Sequence, residues 1–158
     1  MAGTFEDFLA KVDPRYEGFA KDVHLSLLKE GYKAKTELKA NGYSVSYSDP
    51  KTKRSLLNFL FRKNELMIRI YADNLNKYDE LLEELPDSMV DEIIGSQVCK
   101  RLIDPDDCWD SCVTGYDFYI RDEHYQKCRY RCFIFLVNEE SIPVLLRFVE
   151  NECKMRRS

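Results

Sequence analysis

The fold of this chain is decided by residues 43–71, which read YSVSYSDPKTKRSLLNFLFRKNELMIRIY. The first six of them alternate Tyr or Val with Ser, and this period of two is typical of a strand with one buried face. Two apolar runs, Ser55 to Arg62 and Glu65 to Tyr71, follow a turn at Asp49-Pro50, and only Lys63-Asn64 separates them. Asn tolerates the positive φ of a tight hairpin turn. The stretch therefore predicts three antiparallel strands that follow one another in a meander.

Apolar residues at helical spacing lie on both sides of this meander. Before it, Phe19, Val23 and Leu27 recur on one face of a predicted helix, with His24 on the same side. After it, Pro143 fits the first turn of a C-terminal helix. Residues 33–40 are compatible with either a loose helical turn or a connection. Helices are predicted over residues 4–11, 14–30, 75–85, 89–96 and from about 141 onward.

The C-terminal half adds a second group of strands. Gly115 to Ile120 and Tyr125 to Val137 are predicted to pair as a long hairpin around residues 121–124. The Asp-rich stretch before them, residues 103–110, is predicted to be a loop. The order of elements predicts a single α+β domain over residues 1–158. Its sheet is expected to be about five-stranded and mostly antiparallel, with helices packed on one face.

Composition and charge narrow the class of protein. A chain of 158 residues with 44% hydrophobic and 33% charged residues is typical of one globular domain. The net charge of −4 argues against a protein whose main task is to bind nucleic acid, because such proteins carry a basic patch or stripe. No apolar run reaches the length of a membrane span, and the first residues lack an export pattern. We therefore expect a cytoplasmic protein that does not enter a membrane.

The six cysteines are the most distinctive feature of the sequence, and in a reducing cytoplasm they predict free thiols or a metal site. Cys108 and Cys112 fall in the predicted loop, whereas Cys128 and Cys132 fall in a predicted strand. Residues four apart in a strand are separated by about 13 Å, too far to hold one zinc ion through Zn–S bonds of roughly 2.3 Å. The predicted zinc ligands are therefore Cys108, Cys112, Cys128 and His124, with Cys132 in the core.

Two alternatives to a zinc site remain open. Free cysteines usually behave as small buried hydrophobic residues, and this interpretation is favoured over zinc. A redox-active pair in the loop is the other alternative. Its C-x3-C spacing differs from the C-x-x-C arrangement that lowers a thiol pKa.

A second candidate site is cationic. Lys127, Arg129 and Arg131 alternate along the last predicted strand, so all three would share one sheet face, and Arg69 on a nearby strand would join them. The planar fork of Arg pairs with phosphate and with carboxylate groups. These four residues are candidate ligands for an anionic small molecule. The alternative is a solvated face whose cations pair with acids across the hairpin.

The sequence carries little that indicates catalysis. His24 lies on an apolar helix face and His124 lies in a predicted turn. There is no nucleophile elbow, phosphate loop, dinucleotide fingerprint or metalloprotease pair. The acidic cluster at residues 79–84 is predicted to be the outer face of a helix, and the cluster at residues 104–110 lacks the Gly and the terminal Glu of a calcium loop. We therefore expect a binding protein rather than an enzyme.

The C-terminal 60 residues contain a specific pattern, formed by Cys99 to Leu102, Cys108, Cys112, Gly115 to Phe118, Tyr125 to Tyr130 and Glu139 to Ser141. In this pattern the chain resembles a family of small bacterial proteins for which no activity is established. The whole chain is also similar, more weakly, to YdhG-like domains of the frataxin-type α+β fold. That similarity implies a helix–sheet–helix sandwich and, as proposed for some members, iron delivery through acidic residues.

Three functional hypotheses follow. The first is a binding or sensing domain, with a Tyr- and Arg-bearing surface for a small ligand or protein and a structural zinc ion in the cysteine-rich region. The second is a frataxin-type protein that handles iron or another metal through surface acids. The third is a cysteine-dependent enzyme, in which one thiol would react much faster than the other five.

Overall fold

The computed structural model of the protein describes residues 2–78, 80–104, 106, 115–129 and 132–157. The strands in these ranges are β1 (Ala2–Gly3), β2 (Lys33–Lys39), β3 (Gly42–Ser48), β4 (Ser55–Arg62), β5 (Glu65–Ile70), β6 (Tyr116–Ile120), β7 (Glu123–Lys127) and β8 (Ile134–Leu136). The α-helices are α1 (Phe5–Leu9), α2 (Glu17–Lys29), α3 (Glu80–Glu83), α4 (Asp87–Ile94), α5 (Lys100–Ile103) and α6 (Ile142–Arg157). Short 3-10 turns span Pro14–Tyr16 and Leu75–Lys77.

The main sheet is antiparallel, with the strand order β1-β2-β3-β4-β5-β8. The predicted meander is β3 to β5, and the α+β fold is confirmed. Strand β2 is a correction, because residues 33–40 were expected to be a helical turn or a connection. Its uncharged residues Ala34, Thr36 and Leu38 alternate with charged ones, but only Thr36 is buried. Pairing along its whole length with β3, from Lys33 opposite Ser48 to Lys39 opposite Gly42, makes it a strand.

The inner face of the sheet carries the hydrophobic core. One row of directly opposed residues crosses five strands: Thr36, Val45, Phe59, Ile68 and Phe135. Each of these side chains is buried, and burial of a large apolar side chain contributes roughly 1.5–3 kcal/mol. The same core includes the helix residues Phe8, Phe19, Leu27, Leu145 and Phe148.

Helix α6 closes the core at the C-terminal end, as predicted from about residue 141. Ser141 and Asn138 exchange hydrogen bonds before its first turn, with 2.9 Å from Ser141 N to Asn138 Oδ1 and 3.0 Å from Asn138 N to Ser141 Oγ. This pair orders the chain at the entry to the helix. In the described part of the chain, no helix is both long enough and apolar enough to cross a membrane.

The long hairpin predicted over residues 115–137 is wrong in its second strand. Strands β6 and β7 form a separate two-stranded sheet, joined at Arg121-Asp122, where both residues have positive φ. Strand β7 ends at Lys127. The chain then turns, with positive φ at Phe133, and only Ile134 to Leu136 returns to the main sheet as β8. The turn takes the chain from one sheet to the other, which a period-two pattern cannot reveal.

The predicted helix over residues 75–85 is also shorter than expected. It is divided into the 3-10 turn at residues 75–77 and the four-residue helix α3. The inward positions Leu81, Leu82 and Leu85 are nevertheless buried, as the helical spacing predicted. The second predicted helix is present as α4, which begins directly after Pro86.

Candidate anion-binding face

The side of the main sheet opposite the core, which we call the outer face, is polar and basic. Alternation along β2 to β5 gives this face five cations, Lys33, Lys35, Lys39, Arg62 and Arg69, and two acids, Glu37 and Glu65. Five cations minus two acids leaves +3 on a face of a chain whose net charge is −4. A basic surface therefore lies on strands β2 to β5, and of the predicted cationic residues it includes Arg69.

Short polar side chains make room for a pocket on the outer face. Lys35, Ser46, Asn58 and Arg69 lie directly opposite one another on four neighbouring strands. Ser side chains do not fill the space between longer neighbours, and a pocket of about 240 Å³ results. Its polar lining is Lys39, Asn41, Ser44, Ser46, Asn58 and Arg69.

Arg69 is the most unusual side chain of this pocket. With the Asn58 amide oriented to satisfy both of its ends, its nitrogen donates to Leu57 O at 2.8 Å and its oxygen accepts from Arg69 Nη1 at 3.3 Å. Arg69 Nε is buried and has no hydrogen-bond partner within the described ranges. A buried donor without a partner costs about 1–3 kcal/mol, more if it is charged. The pocket lining contains no carboxylate to supply that partner.

Lys127 does not share the surroundings of Arg69. It is buried at the end of β7, and its Nζ donates to Ile94 O and to Ser96 O, each at 3.0 Å. These bonds tie the hairpin to the end of α4. Lys127 is therefore a structural cation, and the expectation that it shares one exposed sheet face with the other candidates is wrong.

Arg129 lies beyond the end of β7, in a third environment. Its guanidinium binds the carboxylate of Asp73 and lies 5.1 Å from the ring centre of Tyr116. Arg131 lies outside the described residues. Of the four predicted cationic ligands, Arg69 alone is described as lining the outer-face pocket.

Asp73 is the centre of a cluster of arginines that the sequence did not reveal. Arg54 Nη2 and Arg156 Nη2 approach its Oδ2 at 3.2 and 3.0 Å, and Arg129 binds Oδ1. These residues come from the start of β4, the C-terminal end of α6 and the turn after β7. Because they are distant in sequence, no motif marks them.

A buried carboxylate continues this cluster. Glu152 on α6 is fully buried, and it accepts hydrogen bonds from the backbone and side chain of Asn74, from Tyr78 Oη at 2.5 Å and from Arg156 Nε at 3.0 Å. Burial, together with the Glu152 carboxylate, raises the pKa of Tyr78 well above its usual range, so Tyr78 remains a donor. Burial opposes the charge on Arg156, but the bond to Glu152 and the charge of Asp73 leave its pKa raised overall. The network fastens α6 to the loop after β5.

The predicted zinc ligands are only partly described. Cys108 and Cys112 lie outside the described residues. His124 and Cys128 lie toward opposite ends of β7, and His124 Nε2 is 2.5 Å from Asp117 Oδ1. The described residues contain no group of three or more His, Cys, Asp or Glu side chains arranged to hold a metal ion.

The geometry of Cys128 and Cys132 differs from the sequence-based expectation. The pair was expected to lie about 13 Å apart in a strand. Instead, Cys132 N donates to Cys128 O at 2.9 Å, a contact that an extended strand does not allow. The separation of about 13 Å therefore does not apply to this pair.

Buried thiols in this region are poor nucleophiles. Burial raises the pKa of Cys132 to about 12 and the pKa of Cys153 to about 11. Since the thiolate is the reactive form, both side chains are deactivated. This is the behaviour expected of cysteines that pack as small hydrophobic residues.

Comparison with known proteins adds no family to these observations. No protein-family model matches the chain, and no curated protein or solved structure matches it significantly. The resemblances based on the C-terminal motifs and on YdhG-like domains therefore stay predictions. Any function has to be argued from the geometry described above.

Proposed function

We propose that this chain is a cytoplasmic binding or sensing domain, without catalytic activity, whose outer face binds a small ligand that carries a phosphate or carboxylate group. The observation that supports the proposal is the partnerless buried Nε of Arg69 in a pocket lined by short polar side chains. An anionic ligand in the pocket would pair with the half-exposed guanidinium of Arg69.

The chemistry of the lining favours an anion. Lys39 contributes a cation at the edge of the pocket. It and its neighbour Lys35 pair with Glu37, at 3.8 and 3.3 Å, in exposed and therefore weak ion pairs. Ser44 and Ser46 offer hydroxyl donors. A guanidinium flanked by hydroxyl groups suits phosphate and carboxylate equally well.

A small ligand fits the outer face better than nucleic acid. The net charge of −4 does not favour a protein that binds nucleic acid through its phosphates. The pocket of about 240 Å³ also suits a small ligand group better than a long strand. A protein that presents a carboxylate group is the other partner that the proposal accommodates.

The test is a thermal-shift and calorimetric titration with inorganic phosphate, a phosphomonoester and citrate. At ten times its Kd, a ligand stabilises the folded state by about 1.4 kcal/mol, which raises the Tm of a chain of this size by about 3–6 °C. Arg69→Gln is expected to weaken binding at least tenfold. The matched control is Arg62→Gln, which removes the same charge from an exposed position at the end of β4.

Two results would contradict the proposal. One is the absence of any shift with all three anions. The other is an equal loss of binding in the Arg69 and Arg62 variants, since that would indicate general attraction to a basic surface instead of a site at Arg69.

We propose, as a second candidate function, that the cysteine-rich region holds a structural zinc ion. The observation that favours it is the turn that joins Cys128 to Cys132, with 2.9 Å between Cys132 N and Cys128 O. Near one zinc per purified chain and a loss of thermal stability with a strong chelator would support this role. Metal-free protein whose stability is unaffected by chelator or by added Zn²⁺ would refute it.

The two other hypotheses find less support. Two surface acids at the end of α3 already have partners: Glu83 accepts from the backbone N of Arg121 at 3.1 Å, and Glu84, just after the helix, binds Arg147. These contacts do not favour iron delivery. The raised pKa values of Cys132 and Cys153 do not favour a cysteine-dependent enzyme.

A further inference from the structure

Three apolar side chains lie next to one another on the outer face, beside the pocket. Leu60 on β4 lies opposite Met67 on β5, and Met67 lies opposite Leu136 on β8. Each of them alternates with buried core residues of its own strand, so all three lie on the outer face, where they are half-buried. We call these three residues the apolar stripe, because they cross three neighbouring strands without a polar residue between them.

The apolar stripe adjoins Arg69. Met67 lies two residues before Arg69 on the same face of β5, about 7 Å away along the strand. Ile134, which is buried, lies directly opposite Arg69 on β8. Arg69 therefore has apolar neighbours on two sides and the polar residue Asn58 on a third side.

The pocket itself also has an apolar side. Its lining includes Tyr43, Leu60 and Phe61 in addition to the polar side chains, and none of its ten lining residues is acidic. Leu60 belongs to both the pocket and the apolar stripe, so the two are continuous. A small hydrated anion would leave this apolar lining exposed to water. An apolar group attached to the anion would cover the lining, and the removal of apolar surface from water favours binding.

We propose that the ligand of the outer face is an amphiphilic anion, in which a carboxylate or phosphate group at Arg69 is attached to an apolar body that lies over Leu60 and Met67. The inference rests on the proposed function and names the class of its ligand. Neighbouring strands are about 5 Å apart and alternate residues of one strand about 7 Å apart, distances that a chain of about six carbon atoms or one phenyl ring spans. Burial of about 55 Å² of apolar surface is sufficient for a tenfold gain in affinity.

The experiment compares two matched pairs of ligands on the wild-type full chain by isothermal titration calorimetry. One pair is acetate and hexanoate, and the other pair is inorganic phosphate and phenyl phosphate. In at least one pair, the ligand with the apolar body is expected to bind at least tenfold more tightly than its partner. The pair that shows this gain identifies carboxylate or phosphate as the preferred anionic group.

Two variants locate the apolar body. Met67→Ser and Leu60→Ser are each expected to reduce the gain within the pair at least threefold. Both variants should keep the affinity for the smaller anion within about twofold, because that anion pairs with Arg69 and does not reach the apolar stripe. Leu25→Ser is the control and should leave all affinities unchanged, since Leu25 is 63% exposed on α2, outside the sheet.

A further measurement does not depend on the folding of a variant. In wild-type protein with isotope-labelled methionine methyl groups, hexanoate or phenyl phosphate should shift the methyl resonance of Met67. The resonance of Met89, which is buried on α4, should stay unchanged.

Three results would overturn the inference while the anion-binding function stands: no gain in either pair, a gain that survives both substitutions, or an unshifted Met67 methyl resonance. Failure of all four ligands to bind the wild-type chain would overturn both the inference and the proposed function.

Discussion

Replacement of Glu152 by Gln tests the buried network that fastens α6 to the sheet. The carboxylate is fully buried, and its Oε1 accepts from Asn74 Nδ2 at 2.9 Å and from Arg156 Nε at 3.0 Å. A Gln side chain keeps the shape and can keep one oxygen in that position. The change therefore removes the negative charge and leaves Arg156 with Asp73 as its anionic partner.

The expected magnitude follows from these two bonds. A hydrogen bond to a charged group contributes about 1.5–3 kcal/mol, and a neutral bond contributes about 0.5–1.5 kcal/mol. The loss of charge assistance at both bonds should lower the free energy of unfolding by about 2–3 kcal/mol. For a chain of this size that corresponds to a decrease in Tm of about 4–12 °C. Glu152→Ala, which removes the acceptor altogether, should lower the free energy of unfolding by about 3–5 kcal/mol.

The assay is urea unfolding at pH 7, followed by circular dichroism. Glu150→Gln on the exposed side of the same helix is the matched control, with an expected change within about 0.5 kcal/mol. If the Glu152 and Glu150 variants were equally stable, the reasoning would be refuted, because Glu152 could not then be a buried anion that binds Arg156.

Two further predictions concern buried titratable groups. Burial raises the pKa of Glu92 above 4.5, although Leu136 N donates a hydrogen bond to it at 3.4 Å, so the ionised form of Glu92 opposes folding. Glu92→Gln should therefore raise the free energy of unfolding at pH 7. This gain should shrink as the pH falls toward 4.5, which a series of urea titrations would measure. A variant less stable than wild type at pH 7 would contradict this sign. When metal-free native protein is treated with iodoacetamide, Cys128 should be modified well before Cys132 and Cys153. The reason is that burial raises the pKa of Cys132 to about 12 and that of Cys153 to about 11. Equal modification rates, measured by peptide mass spectrometry, would contradict this order.

The outcome for Arg69 shows how far the sequence leads toward the candidate site. Its residue type predicted a site for an anion, with Lys127, Arg129 and Arg131 as neighbours. Register decides the actual neighbours: Arg69 lies opposite Asn58, which lies opposite Ser46. Pairing between strands depends on contacts across the sheet, and no local pattern in one strand specifies them.

Cys128 and Cys132 illustrate a second limit. A run of alternating residues predicted an extended strand through both of them, whereas the chain turns there and joins a different sheet. The turn forms because β7 pairs with β6 and β8 pairs with β5, so the segment between them has to change direction. Local propensity contains no information about that requirement.

The sequence by itself determined the α+β class, the meander of β3 to β5 and the apolar faces of α2 and α6. These features depend on periodicity within single segments, which is a local property. Only the tertiary structure decided that β2 is a strand, that the last hairpin is a separate sheet and that Arg54, Arg129 and Arg156 meet at Asp73. Each of these depends on contacts between residues far apart in the chain, whose free energy exists only when the segments are packed together.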